Sequence, residues 1–399
     1  MSQHAGTATT KGLRPIAHHD LAGHGDGMQV MRHGDALYVA HTGTTGMGTS
    51  ILDVHDPARP DLVAQWKAPP NSHTHKVQVA DGLLLVNQER FPYRGAAAGP
   101  FGAGMSVYRL DDPFSPSQVA FWPSTGRGVH RIVWTGGRYA HLSAIPDGYR
   151  DRIWLVVDLS EPSEPKEAGR WWWAGQREDE APSWPEGRRV AAHHALLAGD
   201  RAYLGYDDAN LVVLDVSDMT SPRQVAHLAW EGGGATHTCL PLPSRGLVVV
   251  TDEQQHDGPR APERTIRVVD VSDEENLRVV GVVPSPGERF AELPMRFGAH
   301  NLHENRDGSY RSERLVFATW FSAGVRVYDL ADPARPDEVA HWVPEAPPGQ
   351  AVPQINDLFV DEEGLVWATD RVGGGLWVLE PEPWLAALMG EARSQPLPA

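Results

Sequence analysis

Short apolar runs separated by polar turns fill almost the whole chain, and many of these runs are rich in Val, Ile, Leu and aromatic residues. Runs of this kind, bounded by Gly, Pro, Asp or Ser, are typical of β-strands. One stretch, WLAALMGEA at residues 384–392, has the composition of a short helix. The pattern therefore predicts an all-β chain with a short helix near its C-terminal end.

The apolar runs recur in a fixed order. One run ends in Asp and is followed by a polar turn and a further short run, as in LVVLDVSDMTSPRQVAHL and VRVYDLADPARPDEVAHW. Successive copies are 49 to 59 residues apart, measured at the position that ends the run. A period of this size, built from strands, predicts a propeller or a repeat array. The matched positions are Asp53, Arg109, Asp158, Asp215, Asp270, Asp329 and Glu380.

Each copy holds four strand-like runs, so seven copies predict a single seven-bladed β-propeller domain over residues 1–399. The seventh copy lacks its fourth run, because a short helix and tail (384–399) follow WVLEPEP. A matching run, LRPIAHHDL, stands near the N-terminal end at residues 13–21. We expect this run to complete the seventh blade and close the ring, which covers an otherwise exposed strand edge.

The segments LVVLDVSD, RVVDVSD and VRVYDLADP resemble the LVIVD repeat of propeller proteins, and the resemblance extends over essentially the whole chain. The second copy departs from it, with Arg109 at the Asp position. The resemblance implies a propeller fold. It implies little about function, because propellers host many unrelated activities.

Composition limits the classes of function. The single cysteine, Cys239, excludes an intramolecular disulfide and a cysteine-rich metal site. No apolar run is long enough for a transmembrane helix, and no apolar leader is seen near Met1, so we expect a cytoplasmic protein with no membrane partner. The net charge of −17 argues against nucleic-acid binding. A small-molecule substrate remains the expected partner, and the oligomeric state stays open.

The first run of five consecutive copies carries a histidine at one matched position, and we call this set the histidine column. In the seventh and first copies the same position holds Asn356 and Met28. Innermost propeller strands line a central channel, so the column predicts a partial ring of imidazoles able to bind a transition metal. A water-filled channel lined by neutral histidines is the alternative. The histidine column consists of His75, His130, His194, His237 and His300.

Strand alternation predicts which histidines near the column are excluded from it. Adjacent residues of a strand point to opposite faces, so His193 is expected to face away from His194. His303 lies three positions after His300, and on a strand both cannot point to the channel.

Imidazole ligation suits iron, copper, zinc or nickel. The placement of the histidines is similar to that in carotenoid cleavage oxygenases, which hold Fe(II) with four histidines, and in selenium-binding-protein-type methanethiol oxidases. It is also similar to that in copper propellers such as nitrous oxide reductase. The similarity implies no catalytic residue here, because it concerns architecture and histidine placement alone. The lack of an export signal favours Fe(II), with copper, manganese or zinc as alternatives and O₂ as a possible co-substrate.

Carboxylates end the second run of several copies. Glu89, Asp207 and Asp252 lie on copies that carry a column histidine. Metal-ligating histidines usually donate their second N–H to a carboxylate or a carbonyl, so these three are candidates for orienting the imidazoles. The alternative is that they cap the turns that follow.

Long aromatic loops are expected on the same face as the column. They supply candidates for a substrate pocket, and Arg90, Arg188 and Arg289 are further candidates for binding a substrate carboxylate. Loop packing and solvated charge are the alternatives for each residue. The pocket candidates are Phe91, Tyr93, Trp184, Phe290, Met295, Phe297, Trp320 and Arg296.

Three functional hypotheses follow from these patterns. The first is a non-haem Fe(II) oxygenase or oxidoreductase that acts on a small aromatic or apolar substrate. The second is a copper-dependent oxidase or a redox-neutral metal lyase. The third, from another class, is a non-catalytic propeller scaffold that binds a partner protein. Metal content separates the first two from the third.

Overall fold

Nearly all regular structure in the chain is β-strand, in agreement with the all-β class that the sequence predicts. The computed structural model describes residues 8–92, 99–258 and 264–394. The chain forms two compact units. Unit 1 comprises Met1–Val30, Val54–Pro60 and Leu240–Ala399, and unit 2 comprises Met31–Asp53 and Asp61–Cys239.

The first six strands include one complete four-stranded sheet. Strands β3 to β6 are hydrogen-bonded in chain order. Every residue of β4 is buried, whereas β6 is largely half-exposed, so burial falls from the inner to the outer strand. The strands are β1 (Thr9–Lys11), β2 (Leu13–His19), β3 (Gly27–His33), β4 (Ala36–His41), β5 (Met47–Asp53) and β6 (Asp61–Lys67).

Two of the predicted four-stranded repeats share one nine-stranded sheet in unit 2. They join because Gly128, at the start of one strand, pairs with Glu89 of a neighbouring strand from the other repeat. Gly128 has a φ of +93°, and a Cβ there would lie 2.5 Å from the carbonyl oxygen of Gln88, so only glycine permits this approach. The strands are β7 (Ser72–His73), β8 (Val77–Ala80), β9 (Leu83–Arg90), β10 (Gly104–Arg109), β11 (Ser117–Pro123), β12 (Gly128–Val133), β13 (Tyr139–Ile145), β14 (Ile153–Asp158) and β15 (Lys166–Trp171).

Two further four-stranded sheets follow along the chain. The first lies wholly in unit 2, and the chain passes from unit 2 to unit 1 within the first strand of the second, after Cys239. Strands β16 to β19 pair in chain order, as do β20 to β23. A 3₁₀ turn, Pro243–Arg245, follows β20, and a short helix, α1 (Glu288–Ala291), follows β23. The strands are β16 (His194–Ala198), β17 (Arg201–Gly205), β18 (Leu211–Asp215), β19 (Arg223–Leu228), β20 (Thr236–Leu242), β21 (Leu247–Asp252), β22 (Ile266–Asp270) and β23 (Arg278–Val282).

The N-terminal segment adds a strand to each of the last two sheets, both in unit 1. Strand β2 pairs antiparallel with β29, with Leu13 opposite Pro381, and is the fourth strand of that sheet. Strand β1 pairs with β26 in the other sheet, an addition that the sequence did not reveal. The strands are β24 (Leu315–Thr319), β25 (Val325–Asp329), β26 (Asp337–Val343), β27 (Ile355–Val360), β28 (Val366–Asp370) and β29 (Leu376–Pro381).

Gly12 permits the change of partner between β1 and β2. Its φ is +78°, and a Cβ at this position would lie 2.5 Å from the Trp384 ring. Trp384 belongs to helix α2 (Pro383–Ala392), which ends the regular structure. The helix predicted at 384–392 is therefore confirmed, and its Leu385 and Met389 join the core that Leu13 also enters.

The aspartates that end the third strands of the repeats are explained by turn chemistry, as Asp215 and Asp270 show. Asp215 Oδ1 accepts hydrogen bonds from the backbone N–H and the hydroxyl of Ser217, and Oδ2 accepts one from Arg223 on the fourth strand. Asp270 makes the equivalent bonds with Ser272. These hydrogen bonds lower the pKa of both carboxyls. The repeat signature therefore records a strand-to-strand turn and carries no catalytic information.

The helices in the described ranges are too short or too polar to cross a membrane.

Candidate metal centre

Three histidines of unit 2, which we call the imidazole trio, meet at the start of two strands. His193 directly precedes β16, His194 is its first residue and His237 lies on β20. The His193 and His237 ring centroids are 3.6 Å apart, and those of His194 and His237 are 5.5 Å apart. One ring nitrogen from each residue lies within 4.8 Å of the other two, and all three side chains are buried. The trio thus brings three imidazole nitrogens close together in a buried position.

His193 was predicted to face away from His194, and this prediction is wrong. The Nδ1 atoms of the two rings are 2.9 Å apart. Strand alternation does not apply because β16 begins at His194, so His193 belongs to the preceding loop. Its backbone N–H donates to the carbonyl of Gly205 at 2.8 Å, which fixes it beside the strand.

A second group in unit 2, which we call the Glu89 cluster, consists of His73, His75, His130 and Glu89. Nδ1 of His73 and Nδ1 of His130 lie 3.0 and 2.9 Å from Oε1 of Glu89. Nδ1 of His75 is 3.9 Å from the same oxygen. The rings of His73 and His75 stack with centroids 3.7 Å apart. Glu89, predicted to orient column histidines, therefore contacts His130 directly and lies close to His75.

His73 is a member of this cluster that the sequence analysis missed. The first run of the second copy, HTHKVQVA at residues 73–80, is interrupted in the structure, where β7 ends at His73 and β8 begins at Val77. The spacing of His73 and His75 did contain the signal, since residues two apart on an extended chain share a face.

Burial favours the neutral form of His75, His130 and His193. It lowers the pKa of His75 and His193 well below the ordinary value, and the charges of neighbouring histidines add to the effect. Burial also lowers the pKa of His130 to about 4. For Glu89 burial acts in the opposite direction, yet the charge and hydrogen bond of His130, with the bond from His73, hold its pKa well below the ordinary range. Neutral imidazole and ionised carboxylate are the forms that bind metals.

Asn87 ties the Glu89 cluster to the sheet. Its Oδ1 accepts the backbone N–H of Lys76 at 2.8 Å, and its Nδ2 donates to the carbonyl of Val129 at 2.7 Å. Nδ2 also lies 3.3 Å from Nδ1 of His75. The chain segments that carry His75 and His130 are therefore positioned by one buried amide.

His300, the column member in unit 1, has other partners. Its Nδ1 lies 2.6 Å from the carbonyl oxygen of Asn356, and its ring stacks on Phe321 with centroids 4.6 Å apart. Its Nε2 lies 3.7 Å from Glu253, which pairs with Arg296 at 2.8 Å. Asn356 in turn donates to the carbonyl of Met28 at 2.6 Å. In unit 1 the matched positions are thus linked by hydrogen bonds to backbone carbonyls.

His303 stands apart from His300. Its Nε2 is 2.7 Å from the carbonyl oxygen of Tyr310, and its Nδ1 accepts the backbone N–H of Val360.

The other two carboxylates proposed to orient histidines contact arginines. Asp207 Oδ2 accepts a bond from Arg152 at 3.2 Å and lies 3.1 Å from Arg189. Asp252 in unit 1 pairs with Arg267 at 2.6 Å. Both carboxylates are buried, and the arginines balance their charge. Glu89, by contrast, contacts His73 and His130 of unit 2.

The pocket candidates of unit 2 lie in different surroundings. Phe91 contacts the His73 ring edge-on with centroids 5.9 Å apart, so it covers one side of the Glu89 cluster. Trp184 is half-buried and packs against the core around Tyr206. Tyr93 lies outside the described residues.

In unit 1 the pocket candidates form part of the packing. Phe290, Phe297 and Trp320 are buried. The ring centroid of Phe297 lies 6.2 Å from that of Phe290 and 5.8 Å from that of Trp320. Met295 is half-buried, and its carbonyl accepts the N–H of Gly258. Arg296 lies over the ring of Phe321.

A family model of a propeller repeat matches part of the chain. The LVIVD repeat model matches residues 150–171 and 192–227, which include β14, β15 and the sheet that carries His194. No curated protein matches the chain.

Solved structures resemble the chain over most of its length. The periplasmic gluconolactonase PpgL of Pseudomonas aeruginosa has 14% identity and a TM-score of 0.57, and the match covers 90% of this chain and 97% of that one. The C-terminal WD40 domain of Sif2 has 9% identity and a TM-score of 0.59, covering 94% and 100%. A hypothetical selenium-binding protein from Sulfolobus tokodaii has 13% identity and a TM-score of 0.53, covering 93% and 90%. At these identities the likeness shows the fold alone, and that fold is a β-propeller.

Proposed function

We propose that this propeller is a metal-dependent enzyme whose metal ion is held by the imidazole trio, His193, His194 and His237. The observation that carries the proposal is the approach of three buried ring nitrogens to within 4.8 Å of one another. Three imidazoles this close together would hold a metal ion through metal–nitrogen bonds of about 2.0–2.1 Å. Burial supports the neutral form that ligation requires, because it lowers the pKa of His193.

Iron(II) is our first candidate for the metal, and an oxygenase or oxidoreductase reaction on a small aromatic or apolar substrate is our candidate activity. The metal would bind O₂ or polarise the substrate, which is the chemistry that such an ion supplies. Three protein ligands would leave room for substrate or O₂ on the metal, as in catalytic sites. Copper, manganese and zinc remain alternatives because imidazole ligation suits several transition metals.

The residues around the trio have defined tasks. Gly205 brings β17 close to the His237 carbonyl, since a Cβ there would overlap that oxygen. The Thr238 hydroxyl lies 2.9 Å from Nδ1 of His237 and fixes the ring orientation. Both contacts hold the trio in place before a ligand arrives, which reduces the cost of binding.

We also propose that the sheets correspond to seven blades and that β2 closes the ring on β29. The antiparallel pairing of those two strands supports this. The matches to propellers over 90% or more of the chain support it as well.

The experiment is metal analysis of the full chain purified without a histidine tag, after reconstitution with Fe(II) without air or with Cu(II). We expect stoichiometric metal in the parent protein, and substrate-dependent O₂ uptake by the Fe(II) form. His237→Ala should lose the trio's metal ion.

His141→Ala is the matched control. His141 is a buried imidazole of the same unit that stacks on Trp154, outside both histidine groups. It should retain the metal of the parent. A parent protein that holds no metal after reconstitution would contradict the enzyme hypothesis and favour the protein-binding scaffold.

A further inference from the structure

The Glu89 cluster offers a donor set of its own. Donor atoms of His73, His75 and Glu89 lie within 4.8 Å of one another, and all three side chains are buried. None of these three residues belongs to the trio. The ring of His130, the fourth member of the Glu89 cluster, has its centroid 4.9 Å from that of His75 and 5.2 Å from that of His193.

We propose that His73, His75 and Glu89 bind a second metal ion, in addition to the one that we assign to the imidazole trio. This inference goes beyond the proposed function, which requires the trio alone.

The contacts of Glu89 leave one oxygen available to a metal. The hydrogen bonds with His73 and His130 and the nearest approach of His75 are all at Oε1. Oε2 can therefore serve as a ligand while Oε1 still accepts the bond from His130. In that arrangement His130 is a positioning residue, because its N–H holds the carboxylate in one orientation.

The chemistry of the donors differs between the two groups. Two imidazoles and one carboxylate form the donor set of many non-haem Fe(II) enzymes, and the same set binds catalytic zinc. The ionised carboxylate also offsets part of the charge that a divalent ion brings into a buried site. The trio itself consists of three neutral donors, so we expect the two sites to differ in affinity and in metal preference.

The second site is also positioned in advance. Asn87 fixes the chain on both sides of the cluster through its bonds to Lys76 and Val129. Phe91 covers the edge of the His73 ring. A site with fixed donors and a covered edge binds an ion with less rearrangement than a flexible one.

The test is the stoichiometry of metal binding by the full-length, tag-free protein. The protein is stripped with a chelator, titrated with Zn(II) alone, desalted and analysed for metal. We expect two equivalents in the parent, one in His75→Ala, one in His237→Ala and none in the double variant. His141→Ala should keep two.

Glu89→Gln provides an independent variant, because it preserves the side-chain volume and an oxygen acceptor for His130. It should keep the parent's thermal melting and circular dichroism and lose one equivalent of Zn(II). Co(II) absorption would show which site remains, since the surviving spectrum of Glu89→Gln should match that of His75→Ala and differ from that of His237→Ala.

The outcomes separate this inference from the proposed function. One equivalent in the parent, lost in His237→Ala alone, would overturn the second site and leave the trio in place. One equivalent lost in both single variants would mean one shared centre and would also overturn the second site. No metal in the parent would overturn both proposals. Two equivalents that both persist in Glu89→Gln and His75→Ala would assign the cluster a purely structural role.

Discussion

The histidine column has different surroundings in the two units, although its members occupy matched positions in the repeat. In unit 2 His194 and His237 lie against each other and against His193. In unit 1 His300 lies within hydrogen-bonding distance of the backbone carbonyl of Asn356, and its ring stacks on Phe321. Matched position in a repeat therefore does not fix the hydrogen-bond partners of an imidazole.

The largest expected effect is on unit 1. Deleting residues 1–20 removes β1 and β2 and exposes the edge of β29. Burial of Leu13 alone contributes about 2 kcal/mol, and the lost strand pairing adds to it. We expect the melting of unit 1 to fall by about 10 °C or more, measured by calorimetry. Deletion of residues 1–8, which leaves every described strand intact, is the control. Equal melting of the two truncated proteins would contradict the structural role of β2.

The comparison between the units is tested directly by His194→Ala and His300→Ala. His194→Ala removes a proposed ligand, so metal affinity should fall by more than the roughly 10- to 100-fold that loss of an orienting partner costs. His300→Ala should instead destabilise unit 1 by about 1–3 kcal/mol, because it removes the contact with the Asn356 carbonyl, and should cost less metal affinity than His194→Ala. Isothermal titration with Zn(II) and thermal melting measure the two effects. Equal loss of metal in both variants would mean that the column acts as one site.

A smaller effect is expected from Gly205→Ala, which adds one methyl group beside the trio. The new Cβ would overlap the carbonyl oxygen of His237, so overpacking should cost about 1–3 kcal/mol and shift the trio. The melting temperature and the Zn(II) affinity should both fall. Gly390→Ala in α2 is the matched control, because no atom lies within 4 Å of its new Cβ. The control should be neutral or slightly stabilising. If Gly205→Ala left the metal affinity unchanged, backbone packing at this position would not control the placement of the ligands.

The smallest effect concerns the acid stability of unit 1. Burial acts to raise the pKa of Glu338, but the hydrogen bond from His341 and the charge of Arg326 outweigh it and lower the pKa. A carboxylate with a depressed pKa contributes stability above its ordinary pKa, near 4.3, and loses it as pH falls through the folded value. Glu338→Gln should therefore reduce stability at pH 7 by about 1 kcal/mol and flatten the loss below about pH 4.3. Urea denaturation between pH 3 and 7 measures this. The exposed Glu362→Gln is the control, and an unchanged slope in Glu338→Gln would refute the assignment.

The sequence identified part of the candidate site. Aligning the repeats found His75, His130, His194 and His237, and the strand-end position found Glu89. It missed His73 because a run of polar and apolar residues does not show where a strand is interrupted. It misjudged His193 because alternation was applied one residue beyond the end of a strand. Asp207 and Asp252 occupy the same strand-end position as Glu89, but they pair with arginines in the structure, and the repeat pattern gave no sign of these partners.

The sequence by itself determined the strands, the turns and the order of the repeats, because these depend on local spacing and on side chains that bond to their own turns. Asp215 with Ser217 is such a case, since both partners lie within two residues. The tertiary structure decided which strands pair at a distance, as with β1 on β26 and β2 on β29. It also decided that Glu89 lies between His73 and His130. The physical reason is that alternation along one strand fixes the face on which a side chain lies, whereas its partners come from segments that only folding brings together.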